Sequence, residues 1–219
     1  MCGRFVLFTT GEMLIDAAES FTRRPVGAPE GTPGPRYNLA PTQTVPMVHV
    51  AGEKGEKGEA LLEPARWGLL PNWKKDDSGP PLFNARSETV AAKPSFRDAF
   101  KRQRCIIPMD GYYEWHEKKP YFVSLGGELM WAAGLWATGA QRISATILTT
   151  AAAEPIEWLH DRMPRFLERG EAAAWLGGSV EEATALLHPV GPQWRAGLVT
   201  RPVGAAVGNV RNDYAELLD

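Results

Sequence analysis

The 219-residue chain is 44% hydrophobic and 23% charged, with a formal net charge of −2, which sets it apart from disordered, collagen-like and strongly basic nucleic-acid-coating proteins. Only two cysteines occur and four scattered histidines, so neither a disulfide framework nor a zinc cluster is expected. No apolar run approaches the roughly 18 residues of a membrane span, and the N-terminus lacks the pattern of a signal peptide.

In chain order, Gly3 to Phe8 reads as a short strand. Thr9 with Glu12 has the form of a capping box and predicts a helix, whose buried stripe is Leu14, Ala18 and Phe21. Residues 25–36 hold four prolines and three glycines and predict an irregular loop. Val45 to Val50 reads as a strand. The charged stretch 51–59, AGEKGEKGE, reads as a mobile hairpin tip, and Leu61 to Leu70 as extended again. Residues 74–81, KKDDSGPP, form a polar loop.

Pro94 suits the first turn of a helix that buries Phe96, Ala99 and Phe100. Arg104 to Pro108 holds a buried apolar run containing Cys105. Strands follow at Tyr121–Leu125, Leu129–Ala137 and Ile143–Thr149. Pro155 opens a short helix that carries His160 and stops before Pro164. Ser179 and Glu182 form a second capping box, and Ala183, Leu186 and Leu187 give that helix its apolar face. Leu198 to Val203 is the last strand. Many short strands with few helices predict an α+β fold, a single domain over residues 1–219 with a central curved antiparallel sheet or barrel.

Four places have chemistry. A cysteine is commonly just a small buried apolar residue, but Cys2 follows the initiator Met1. Removal of Met1 would create a 1,2-aminothiol, whose amine and thiol ordinarily titrate near ~8 and ~8.5. An aminothiol captures aldehydes: the amine forms an imine and the thiol closes a thiazolidine. Cys105, set among apolar residues, reads as a strand residue instead. Glu114, in the aromatic segment Asp110-Gly111-Tyr112-Tyr113-Glu114-Trp115, suits general acid–base work, or is a surface glutamate on an aromatic strand. His160 lies in Trp158-Leu159-His160-Asp161-Arg162-Met163-Pro164 and suits a cleft wall, or a structural role. In the extended segment Phe83-Asn84-Ala85-Arg86-Ser87-Glu88, Asn84 and Arg86 share a face and could hold a sugar phosphate. The alternative pairs Arg86 with Glu88 on that face.

Taken in order, MCGRF at the start, YNLAPTQ at 37–43, WGLLPNW at 67–73, FNARSET at 83–89, RCIIPMDGYYEW at 104–115, AGLW at 133–136 and LHDRMP at 159–164 resemble the SOS-response-associated peptidase (SRAP) family. The short chain is similar to the bacterial members. The resemblance implies an SRAP-like fold and an abasic-site sensor in the DNA damage response. Such a protein binds single-stranded DNA covalently through Cys2 and shields the lesion. It further implies Glu114 as acid–base group, His160 as the histidine at the sugar oxygen and Asn84 as the residue that orients the reacting groups. Arg4, Arg86 and Arg162 are implied to line the DNA path, with Pro41 and Trp67 in motifs that shape it. No cofactor, metal or membrane is implied. The expected protein is a monomer acting on cytoplasmic, nucleoid-associated DNA, with possible lyase activity. One departure stands out: in RPVGAAVGNVRND, Gly204 and Gly208 replace positions that are usually polar.

Two other functions compete. A cysteine-type peptidase or autopeptidase would use Cys2, Glu114 and His160 as nucleophile, acid and base. A non-covalent single-strand binding module would bind without regard to abasic sites, in a salt-sensitive manner.

Overall fold

A computed structural model describes residues 2–50 and 58–219. The strands are β1 (Arg4–Leu7), β2 (Val26–Gly27), β3 (Arg36–Leu39), β4 (Thr44–Val50), β5 (Ala60–Trp67), β6 (Asn84–Arg86) and β7 (Arg104–Met109). They continue as β8 (Gly111–His116), β9 (Lys119–Ser124), β10 (Met130–Ala137), β11 (Ser144–Ala151), β12 (Arg162–Pro164) and β13 (Val199–Pro202). Among the described residues, five α-helices lie between them: α1 (Gly11–Thr22), α2 (Arg97–Arg102), α3 (Ala172–Gly177), α4 (Val180–Thr184) and α5 (Pro192–Arg195).

The α+β expectation holds, and the sheet region divides in two. In the larger sheet, β11, β10, β7, β4 and β5 pair in that order. A parallel contact of Ser144 and Ala145 with Arg66 and Trp67 then brings β5 back to β11. The ring is closed, which removes the exposed edges an open sheet would leave. β12 and β6 attach to β11, and β2 attaches to β5. The smaller sheet has the order β13-β9-β8-β1-β3.

Side-chain alternation gives the smaller sheet two buried faces. Phe5, Leu7, Tyr112 and Val123 join the main core against the ring. Val6, Tyr113 and Phe122 form a second cluster with Val207 and Leu217 from the C-terminal segment. Phe5 meets the edge of Trp67 across the seam between the sheets, with centroids 5.1 Å apart. Gly111 marks a close approach: a Cβ there would lie 2.2 Å from the Phe122 ring.

Helix α1 buries Leu14, Ala18 and Phe21 as expected, but the capping box at Thr9 does not form. The helix starts at Gly11 after Thr10. The Thr9 hydroxyl donates to Asp110 at 2.6 Å, and the same carboxylate accepts from the Phe8 and Thr9 amides at 2.6 and 2.9 Å. A charged acceptor with three donors outcompetes a neutral local cap. The second capping box, Ser179 with Glu182, is present at α4. That helix ends at Thr184, so Leu186 and Leu187 pack on the core from beyond it.

The helix expected after Pro155 is also absent. Residues 153–160 make successive i to i+3 turns, from Ile156 N to Ala153 O and from Leu159 N to Ile156 O. These turns bury Ile156 and Leu159 without an α-helical ladder. Pro94 lies ahead of α2 in turns, while Phe96, Ala99 and Phe100 are buried as expected. The loop at 25–36 is irregular except for β2 and the start of β3. Most of the charged stretch at 51–59 lies outside the described residues. No described helix is long and apolar enough to cross a membrane.

Candidate active site

Cys2 lies just before β1 and is fully buried. Its carbonyl accepts a 2.9 Å hydrogen bond from the Asn84 amide, which ties the start of the chain to the larger sheet. Asn84 Oδ1 is buried without a donor among the described residues. On β8, Tyr112 and Glu114 alternate onto the seam face and are only 1% and 4% exposed. Glu114 Oε1 accepts from the Trp115 amide at 3.1 Å. Burial pushes the Cys2 thiol well above its usual range, and the Glu114 carboxylate pushes in the same direction. The Arg4 backbone amide opposes them more weakly. Burial, then Cys2 and Glu114, likewise raise the Tyr112 hydroxyl. Cys2, Tyr112 and Glu114 thus form one buried electrostatic group between the two sheets.

The larger sheet supplies the other wall. The parallel pairing of β6 with β11 sets Asn84 beside Ile147 and Arg86 beside Thr149. The antiparallel pairing of β11 with β12 sets Arg162 beside Ala151. Paired residues share a face, so Asn84, Arg86, Thr149 and Arg162 all lie on one side. The Arg86 side chain is exposed and donates no hydrogen bond among the described residues, though its charge acts on Glu88. The alternative pairing of Arg86 with Glu88 is not what forms. Glu88 is held bidentately by Arg162, at 2.6 and 3.0 Å, which lowers the Glu88 pKa. Arg162 also donates to the Thr149 carbonyl at 2.7 Å, and its side chain is only 10% exposed. Its charge is largely committed within the fold.

His160 stands on the turns that precede β12. Its Nδ1 lies 2.9 Å from the Arg162 amide and 2.7 Å from Asp161 Oδ1. When Nδ1 accepts from that amide, the proton of the neutral ring is on Nε2. With Nδ1 protonated, Asp161 becomes the partner instead. Trp158 packs edge-on against Tyr121 at 5.1 Å and His116 at 5.4 Å. Tyr121 is the cross-strand partner of Glu114, so this contact fastens the His160 segment along the strands that carry Glu114.

Arg4 has a structural task. Its guanidinium donates to Asn38 Oδ1 at 3.2 Å, to Val207 O at 2.7 Å and to Gly208 O at 3.2 Å, and lies over Trp115. Trp67 needs correction as a DNA contact. It is fully buried, and its indole N–H donates to Phe83 O at 2.9 Å. A ring with no open face cannot stack on a base, so Trp67 supports the residue before Asn84 instead. Pro41 is half-buried and leads into Thr42, whose amide donates to Trp67 O.

Four residues escaped the sequence reading. Asn38 donates through Nδ2 to Val207 O, Asn209 O and Asn212 O. Asp213 accepts from the Tyr37 and Asn38 amides and pairs with Arg36. Thr149 brings its carbonyl to Arg162 on the candidate face. Trp73, at 62% exposed, stands on the loop leading to β6 beside Lys74 and Lys75. For Trp73 a signal existed: an aromatic next to paired lysines suits a single strand. Neither Gly204 nor Gly208 is required by space, since an added Cβ would meet nothing within 4 Å. Among the described residues, no group of three or more His, Cys, Asp or Glu side chains is placed to hold a metal ion.

These features define a class: a mixed α+β protein with a buried cysteine at the head of its first strand, a carboxylate beside it and an exposed arginine on the facing wall. The family model for SOS response associated peptidase (SRAP) matches residues 1–210. Abasic site processing protein YoaM of Bacillus subtilis is 34% identical over 100% of this chain and 98% of its own length. Abasic site processing protein YedK of Escherichia coli is 33% identical over 100% of this chain and 99% of its own. A crystal structure of a Bordetella bronchiseptica protein shares the fold with a TM-score of 0.73, at 23% identity, covering 93% of this chain and 100% of that one. The chain belongs to the SOS response associated peptidase family.

Proposed function

We propose that this chain processes abasic sites in single-stranded DNA through a covalent bond to Cys2, formed after Met1 is removed. Residues 1–219 act as one domain, as a monomer on nucleoid DNA in the cytoplasm, with no cofactor or metal. The observation that supports this most is the buried group at the seam. Asn84 fixes the Cys2 backbone by its carbonyl, while Glu114 lies within electrostatic reach of the thiol.

The chemistry follows from the charge states. A free amine at Cys2 would be partly neutral at pH 7, whereas the thiol, pushed up by burial and Glu114, stays protonated. The amine therefore attacks first. It adds to the aldehyde of the ring-opened sugar, and water leaves as the imine forms. The thiol then adds across the C=N bond, its sulfur to carbon, while the proton lost from sulfur is balanced by one gained at nitrogen. That closes the thiazolidine. Glu114 is placed to relay these protons. A His160 ring with its proton on Nε2 can donate to the sugar oxygen as the ring opens. Arg86 meets the phosphate backbone and Trp73 offers an exposed face to a base.

The raised thiol also bears on the competing peptidase function. A nucleophilic cysteine needs a depressed pKa to attack as thiolate, and the shift here is in the opposite direction. The test is intact-mass analysis before and after incubation with an oligonucleotide bearing one abasic site. The expected result is a chain lacking Met1 that gains the mass of the oligonucleotide less water. A chain whose Cys2 amine is blocked by an uncleaved N-terminal extension should gain nothing. Undiminished adduct from the blocked chain would sink the thiazolidine reading, and cleavage of unrelated peptides would favour the peptidase.

A further inference from the structure

Tyr112 and Tyr113 are adjacent on β8, point to opposite faces and are both buried. Tyr113 is satisfied: its hydroxyl donates to Tyr37 O at 2.9 Å. The Tyr112 hydroxyl makes no side-chain hydrogen bond among the described residues, yet it is not one of the sealed polar atoms that lack a partner, so it keeps a small accessible surface at the seam. Its ring rests on Phe166, with centroids 5.9 Å apart, inside the core shared by the two sheets. Packing alone would be served as well by phenylalanine at this position.

The hydroxyl belongs to the same group as Cys2 and Glu114, whose charges both act on it. Tyr112 and Glu114 are two residues apart on one strand and share its seam face. Cys2 leads into β1, which pairs with β8 through Arg4 opposite Tyr113 and Phe5 opposite Tyr112. Burial and these two neighbours hold the Tyr112 proton firmly, so the group acts as a donor and not as a base.

We propose that the Tyr112 hydroxyl donates a hydrogen bond to the aldehyde oxygen of the ring-opened abasic site, making Tyr112 a further catalytic residue. This rests on the covalent abasic-site reading above. No proton leaves the tyrosine. It steadies the oxygen that gains negative character as the Cys2 amine attacks, and Glu114 handles proton traffic. The hydroxyl, which bonds to no described side chain, is then free to turn to the substrate.

The experiment compares wild type, Tyr112→Phe and Tyr113→Phe with a single-abasic oligonucleotide at saturating concentration. Three quantities are measured: the single-turnover crosslinking rate, the affinity for the intact oligonucleotide, and the melting temperature. Tyr112→Phe should crosslink about tenfold more slowly, the worth of one hydrogen bond to a reacting group. Its affinity and melting temperature should match wild type, since no internal hydrogen bond is lost. Tyr113→Phe should melt lower and crosslink at the wild-type rate. A wild-type rate in Tyr112→Phe overturns the inference, as does a loss of rate that merely follows a loss of affinity or stability. Equal slowing by both variants overturns it too. If wild type forms no adduct, the covalent reading fails first and the inference falls with it.

Discussion

The two cysteines of this chain are equally buried and differ in everything else. Both Cys2 and Cys105 have no exposed surface, and burial raises both thiols well above the ordinary range. For Cys105 burial is the whole cause. It sits mid-strand in β7, its carbonyl accepts from the Trp175 indole at 2.8 Å, and its sulfur faces Gly134. Cys2 has Glu114 near its thiol and Asn84 on its carbonyl. The difference teaches that burial alone does not mark a cysteine as inert. What separates a reactive candidate from a packing residue here is polar company in a buried seam, where each charge acts at short range with little screening.

The comparison can be broken most directly by exchanging the cysteines one at a time. Cys2→Ala is expected to reduce adduct formation to background, read by mass or by heat-stable gel shift. Cys105→Ala should crosslink normally and lose about 1 kcal/mol in urea melts, as a small core truncation does. Adduct formation that depended on Cys105 would reverse the assignment. Next in size, Glu114→Gln keeps the shape of the side chain and removes its proton relay. It should slow crosslinking about a hundredfold at neutral pH, the range of general acid–base contributions.

A smaller effect sharpens what the two sites share. Both thiols hold their protons more tightly in the folded protein than their ordinary value of 9.0 implies, and Tyr112 and Tyr113 do so relative to 10.0. The native state therefore binds more protons than the unfolded chain at alkaline pH. Stability from these groups is fully present below pH 9 and declines as pH rises beyond it. Urea midpoints measured from pH 8 to pH 11 should fall, and fall less steeply for Cys105→Ala. The least effect is expected at the rim. Arg86→Ala should weaken binding to intact single strands uniformly and reduce the salt slope by about 0.7, the loss of one phosphate contact. An unchanged slope would remove Arg86 from the strand path.

Local signals in the sequence were reliable where local forces decide. The stripe of α1, the Ser179–Glu182 cap and the alternation of Asn84 and Arg86 all follow from period and spacing. Thr9 failed because its hydroxyl answers to Asp110, 101 residues away. The turns at 153–160 replaced a helix because burying Ile156 and Leu159 did not require one. Glu88 was within reach of Arg86 along the strand, yet Arg162 on β12 holds it in a fork. Ring closure through β5 and β11 joins segments nearly 80 residues apart, and no local pattern announces it. The seam itself was legible only as separate motifs. Cys2, Asn84 and Glu114 had chemistry that could be named from residue type, but Tyr112 passed for packing because its place beside Cys2 and Glu114 is visible only in three dimensions.

The C-terminal segment from Val207 to Asp213 is gripped by other parts of the chain chiefly through its peptide carbonyls. Arg4 and Asn38 between them reach the carbonyls of Val207, Gly208, Asn209 and Asn212, and among the described residues Asp213 alone answers with a side-chain hydrogen bond. A strap fastened by its main chain is indifferent to most of its own lettering. Sequence can drift along it, as at Gly208, while its course stays fixed. Segments of equal length from distant relatives should therefore be interchangeable here, provided Val207 still fills the small cluster and Asp213 still closes the clasp.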